Sequence, residues 1–190
     1  MKSRVAKIVR DSLEVKEKLL KENLEVIVKV TEAVLSAYKK NKKVIVFGNG
    51  GSAADSQHLA AELVVRFEQN RKSLDCVALT TNSSAITAIG NDYGFDQIFA
   101  KQVESIVKAG DVVIGISTSG NSQNVLSAIE QAKKQKALTI GWTGRFGGRI
   151  KNIADLCICV PSENTARIQE GHVLIIHIIS KLVEEELFKT

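Results

Sequence analysis

His58 and Glu62 stand four residues apart. On a helix, that spacing puts an imidazole and a carboxylate on one face, one turn apart. The pair suits two ligands of one metal ion, or a base with its partner, although most such pairs are plain surface contacts. Its setting singles it out. Gly48-Asn49-Gly50-Gly51-Ser52 follows the apolar run Val44–Phe47 and opens the segment that carries both residues. A strand, a glycine turn and a helix start make an anion pocket from backbone N–H groups. Glycines let the backbone approach a ligand, and Ser52 is placed as an N-cap or hydroxyl donor. The motif is not a Walker A loop, because no Gly-Lys-Ser/Thr follows. It is not G-x-G-x-x-G either, because Ala53 holds the third glycine's place. A tight strand-to-helix turn would read the same way.

A second loop is richer in donors. Ser117-Thr118-Ser119-Gly120-Asn121-Ser122 follows the run Val112–Ile116 and opens the next helical window. A cap needs one hydroxyl; four beside a glycine at a helix N-terminus suit a phosphate dianion. His177 lies within the apolar run Val173–Ile179, where a histidine is more often a satisfied core residue than a catalyst. Gln169 precedes it by about 12 Å of helix and about 80° of rotation, so the two share a broad face. Spanning that distance to one metal would stretch both side chains. Either they act at opposite edges of one pocket or neighbouring subunits supply them. His172 is turned about 140° from His177 and falls outside the site.

Bulk composition narrows the class. The chain has 190 residues, 44% hydrophobic and 25% charged, with a net charge of +5. These values describe a soluble globular protein of one domain, with residues 1–40 as helices packing in an oligomer and 41–190 as an α/β sandwich. Basic residues are spread along the chain without interleaved aromatics, which argues against nucleic acid as partner. Cys76, Cys157 and Cys159 lie in apolar runs and read as buried structural thiols, which fits a reducing cytoplasm. The N-terminal residues lack a signal-peptide core, and no apolar run reaches the length of a membrane span.

The elements follow from periodicity. Residues 3–40 carry Leu13, Leu20, Leu24, Ile27, Val30, Val34 and Leu35 at helical spacing, with a possible break near Asn23 giving two helices. Strands are expected at Val44–Phe47, Asp75–Leu79, Val112–Ile116, Leu138–Gly141 and Leu156–Val160. Helical windows fall at 52–67, 83–89, 95–108, 121–135, 147–153 and 165–187. This alternation predicts an α/β fold, a five-stranded parallel doubly wound sheet of flavodoxin-like type with an N-terminal helical extension. Ligands of such sheets bind beyond the carboxyl ends of the strands. The last helix is apolar around most of its circumference, which points to burial by other subunits and hence a homo-oligomer.

Taken together, Gly48-Asn49-Gly50-Gly51-Ser52, His58-x-x-x-Glu62, Gly115-Ile116-Ser117-Thr118-Ser119-Gly120-Asn121-Ser122 and Ala166-Arg167-Ile168-Gln169-Glu170 resemble the sugar isomerase (SIS) domain family. Within that family they are similar to the phosphoheptose isomerase branch, over nearly the whole chain. The resemblance implies an aldose–ketose isomerase converting sedoheptulose 7-phosphate to D-glycero-D-manno-heptose 7-phosphate through an enediol, toward heptose precursors of surface glycans such as lipopolysaccharide. It also implies a cytoplasmic homotetramer with sites between subunits and one zinc ion per site. By position, His58, Glu62, Gln169 and His177 match the family's metal ligands. Asn49, Gly50, Gly51, Ser52, Glu62, Asn91, Asp92, Ser117, Thr118, Ser119, Ser122 and Gln169 match its substrate contacts, and Glu62 and His177 its acid–base pair. Arg66, one turn beyond Glu62, reads as a surface charge. The same family contains a non-catalytic regulator that binds the replication initiator protein, and hexulose phosphate isomerases. The first lacks this acid–base pair; the second tends to diverge in the first and last helices.

Overall fold

The computed structural model describes residues 1–189. Its centre is a five-stranded parallel sheet of order β2-β1-β3-β4-β5. The strands are β1 (Val44–Gly48), β2 (Cys76–Ala78), β3 (Val112–Ile116), β4 (Leu138–Gly144) and β5 (Leu156–Val160). Every residue of β1 and β3 is buried, as near-continuous apolar strands covered on both faces require. One face packs against α1 (Lys2–Lys39), α2 (Gly51–Val64) and α7 (Thr165–Leu187), with Val46, Ile114, Trp142 and Ile158 in that layer. The other face, with Ile45, Phe47 and Val113, packs against α4 (Ala100–Ile106), α5 (Gln123–Lys134) and the short α6 (Ile150–Ile153). The predicted sheet and its double winding are present. The window 95–108 resolves into a 3₁₀ turn, Phe95–Gln97, followed by α4.

Three expectations differ in detail. The N-terminal segment is one helix of 38 residues with no break at Asn23. Asn23 is buried there, and its Oδ1 accepts the N–H of Cys159 at 3.2 Å. That N–H faces outward from the sheet edge, so the polar residue satisfies a strand rather than ending a helix. The apolar stripe of α1 also divides. Leu19, Ile27, Val30 and Val34 are buried, whereas Leu13, Leu20 and Leu24 are exposed on a second stripe beside Val5, Ile8, Val9 and Val28. Finally, only Cys76 is a buried thiol; Cys157 and Cys159 are partly exposed. They lie on one face of edge strand β5, with Sγ atoms 3.7 Å apart and covered by little more than α6.

Candidate active site

Both ligand-type loops emerge at the carboxyl ends of adjacent strands, β1 and β3. Gly48 is buried in the sheet, where a Cβ would meet Ile116 O at 2.8 Å. Gly50 has φ of 56°, a left-handed conformation that favours glycine. α2 then starts at once, and Ser52 N–H donates to Asn49 O at 3.0 Å. Ser52 is buried, and its carbonyl accepts from Ser56 Oγ at 2.7 Å.

The second loop is a cluster of hydroxyls. Ser117 Oγ lies 2.9 Å from Ser122 Oγ and 3.3 Å from Ser119 Oγ. Ser122 occupies the N-cap position of α5 but makes no side-chain cap. Its hydroxyl faces the loop instead. Gly120 has φ of 69° and packs directly on Gly147 and Gly148. Gly144 N–H donates to Thr118 O at 2.9 Å, so the end of β4 braces the loop. Thr118 and Ser119 form one wall of a crevice shared with Arg145, Phe146, Ser162 and Ile168.

The two loops are joined by a contact that the sequence does not reveal. Asn49 Nδ2 donates to Asn124 Oδ1, and Asn124 Nδ2 donates to Asn49 Oδ1, both at 2.9 Å. Asn124 is buried on the first turn of α5, 75 positions away in the chain, so no local pattern marks it. The reciprocal amide pair holds two helix N-termini side by side, each a source of positive potential for an anion.

His58, Glu62 and His177 meet where α2 and α7 run alongside each other. His58 Nε2 lies 3.2 Å from Glu62 Oε1 and 3.3 Å from His177 Nε2. The imidazoles meet edge to face, their centroids 5.0 Å apart. Phe67 backs His177 with ring centroids 5.6 Å apart. All three polar side chains are partly exposed, so the crevice is open to a ligand. Glu62 and His177 therefore share one crevice, with His58 between them. The core-residue reading of His177 does not hold; the buried histidine is His172. Its Nε2 lies 3.3 Å from Thr143 O, and burial lowers its pKa to about 4.

Imidazole and carboxylate are donor types that zinc accepts. Ligand atoms about 2.0–2.1 Å from a tetrahedral metal lie about 3.3 Å from one another. The two separations measured at His58 match that edge. Among the described residues no group of three or more His, Cys, Asp or Glu side chains is placed to hold a metal ion; His58 reaches Glu62 and His177 separately. Gln169 packs its amide against Gly51, at the level of the glycine loop. His58 and Glu62 lie about 10 Å and 16 Å further along α2. Gln169 and the histidines thus lie at two levels of the contact between the parallel helices α2 and α7.

Asp55 was not among the sequence candidates. It lies one turn before His58 on α2, which is the only local signal for it. It is buried, and its Oδ2 has no hydrogen-bond partner. Burial raises its pKa to about 6, partly offset by His58. Asn91 and Asp92, by contrast, sit on α3 (Ser83–Tyr93), which buries none of its residues. Both are exposed, and Asn91 Nδ2 donates to Asp92 Oδ1 at 2.7 Å. A single chain does not bring them to the loops. Arg66 is exposed, as the sequence suggests.

The SIS domain family matches residues 9–144. A phosphoheptose isomerase of Clostridium acetobutylicum is 51% identical over 190 residues, covering 99% of this chain and 97% of the relative. The structure of the phosphoheptose isomerase of Neisseria gonorrhoeae superposes with a TM-score of 0.92 at 44% identity, covering 97% of this chain and 98% of the other. That of Francisella tularensis gives 0.93 at 36% identity, over 96% and 97%. Likeness at this level extends through both loops and through α2 and α7, and the chain belongs to the SIS domain family, within its phosphoheptose isomerases.

Proposed function

We propose that this sugar-phosphate isomerase interconverts sedoheptulose 7-phosphate and D-glycero-D-manno-heptose 7-phosphate in the cytoplasm, as an early step toward heptose for surface glycans. The observation that carries the reading is the junction of Glu62, His58 and His177 on the face where α2 meets α7, with the glycine loop at the start of α2. The rise along α2 from the glycine loop to His58 and Glu62, about 10–16 Å, is on the order of the length of an extended sugar phosphate, with phosphate at the loops and reacting carbons at the histidines.

The phosphate would be held by Ser117, Thr118, Ser119 and Ser122, with the backbone of Asn49 to Ser52 completing the grip. Glu62 would take a proton from C1 of the ketose, and the electron pair left behind forms the C1–C2 double bond. His177 would move a proton between the C1 and C2 oxygens. Return of the carbon-bound proton to C2 then yields the aldose, so no net proton is gained or lost. His58, Glu62 and His177 would hold one zinc ion, with a Gln169 amide from a neighbouring subunit as the fourth donor, since this chain's own Gln169 lies at the glycine loop. When bound, the ion supplies Lewis-acid polarisation of the carbonyl. Ligation and base strength compete at Glu62, so the two roles would alternate there. Asn91 and Asp92 would reach sugar hydroxyls from a neighbouring subunit of a homotetramer, which their exposure on α3 and the bare stripe on α1 support.

The test is a panel of ketose phosphates of five, six and seven carbons. The seven-carbon substrate is expected to show the highest kcat/KM. A clear preference for a six-carbon ketose would overturn the assignment. Zinc removal by chelation should abolish turnover and zinc should restore it; full activity in a metal-free preparation would remove the ion from the proposal.

A further inference from the structure

Glu184 is a charged residue with only 2% of its surface exposed, two turns beyond His177 on α7. Its carboxylate accepts three consecutive backbone N–H groups, from Phe67 at 2.9 Å, Glu68 at 2.8 Å and Gln69 at 2.7 Å. It also accepts Arg71 Nε at 2.9 Å, and both side chains of that ion pair are almost fully buried. Burial pushes the Glu184 carboxyl upward, but the N–H groups of Phe67, Gln69 and Glu68 and the guanidinium outweigh it and hold its pKa at about 2. The pair is therefore ionised at any pH at which the protein would work.

The rest of the guanidinium is bonded to the end of α2. Arg71 Nη2 donates to Glu62 O at 2.8 Å, and Nη1 donates to Leu63 O at 2.8 Å and Lys72 O at 3.1 Å. Carbonyls of a last helical turn have no intrahelical partner. α2 stops at Val64, short of the window extending to 67 that periodicity predicts, and Arg71 takes over its final carbonyls. One side of the ion pair thus grips the backbone of Glu62 itself. The other fixes the turn that carries Phe67, whose ring rests on His177.

The hydrogen bonds that offset the desolvation of this buried ion pair are made chiefly to the end of α2 and the turn that carries Phe67. We propose that Arg71 and Glu184 are positioning residues for the isomerisation, setting the carboxylate of Glu62 and the imidazole of His177 against the same two carbons. The proposal rests on the reading of Glu62 and His177 as the proton-transfer pair. The clamp touches neither the glycine loop nor the serine loop, so its loss should act on turnover and leave substrate binding alone. A displacement of about 1 Å in a reacting group can cost roughly 10²-fold in rate.

Steady-state kinetics with sedoheptulose 7-phosphate would compare Arg71→Lys, Glu184→Gln, Glu62→Gln and Asp155→Asn. Arg71→Lys keeps the charge but cannot span Glu184 and both carbonyls. Asp155 accepts from Thr139 and pairs with Lys133 at the opposite ends of the strands, so Asp155→Asn reports loss of stability without loss of the clamp. Arg71→Lys and Glu184→Gln are expected to lower kcat at least tenfold with KM within twofold, well below their melting temperatures. Asp155→Asn should leave kcat near wild type. Full kcat in both clamp variants beside an inactive Glu62→Gln would overturn the proposal alone. An equal loss in Asp155→Asn would also overturn it, because the effect would then follow stability. Full turnover in Glu62→Gln would instead remove the reading on which it rests. Should Glu184→Gln fail to fold, Arg71→Lys alone decides.

Discussion

Glu62 carries the heaviest claim of any single residue. Glu62→Gln keeps the volume and a polar contact to His58 but removes the base. The expected result is a kcat lower by roughly 10²–10⁴-fold, with melting temperature and oligomeric state unchanged. Near-normal turnover would take Glu62 out of the proton path. His172 makes a different prediction. Its ring is neutral in the fold, because burial holds its pKa near 4, but it can charge near 6.5 in the unfolded chain. Its contribution to stability is therefore complete above the unfolded value and lost as pH falls toward 4, a change of about 3 kcal/mol. Asp55 works the other way, since protonation below about 6 relieves its burial. Comparing melting curves isolates the histidine. His172→Gln should flatten the fall in melting temperature between pH 6.5 and 4; an unchanged acid sensitivity would refute the assignment.

At the scale of elements, the site depends on two helices, α2 and α7, lying side by side in the same direction. Gly51 near Gln169, His58 beside His177 and Phe67 against Glu184 are successive rungs of that pairing. Gly51 is the residue that lets the upper rung close. A methyl group there would overlap the amide of Gln169, which is the movable end of a flexible side chain. Because alanine is the better helix former, Gly51→Ala should leave stability equal or raised by up to about 1 kcal/mol. Activity should fall, because Gln169 is pushed from its place. A thermal melt and kcat/KM on the same preparation check this, and an active variant would show that the amide has no task at that position.

For the whole molecule, the exposed apolar residues of α1 are the main unfinished surface. Leu20 is 64% exposed and Leu24 54%, in a groove with Leu174, Ile178 and Leu182 of α7. A continuous patch of this kind on a folded protein calls for a partner, and a second copy of the chain is the proposed one. Leu20→Glu with Leu24→Glu should lower the mass measured by light scattering and reduce activity, if neighbouring copies complete each site. A double variant of unchanged mass would place the interface elsewhere. Among the described residues no helix is long and apolar enough to cross a membrane.

The sequence alone determined the order and type of the elements, because strands buried on both faces and helices with one wet face impose different periods. It also marked the glycine and serine loops and the pairing of His58 with Glu62, since those depend on spacing within a few residues. Spacing by itself could not place His177 beside His58, which only the family resemblance implied, and nothing in the sequence joined Asn49 to Asn124 or brought Arg71 back to Glu62. Each of those contacts is made by side chains from different elements, and only packing of the helices on the sheet fixes such distances. The same limit explains Asn23. A buried amide inside a helix looks like a break until the edge strand that needs its oxygen is brought alongside.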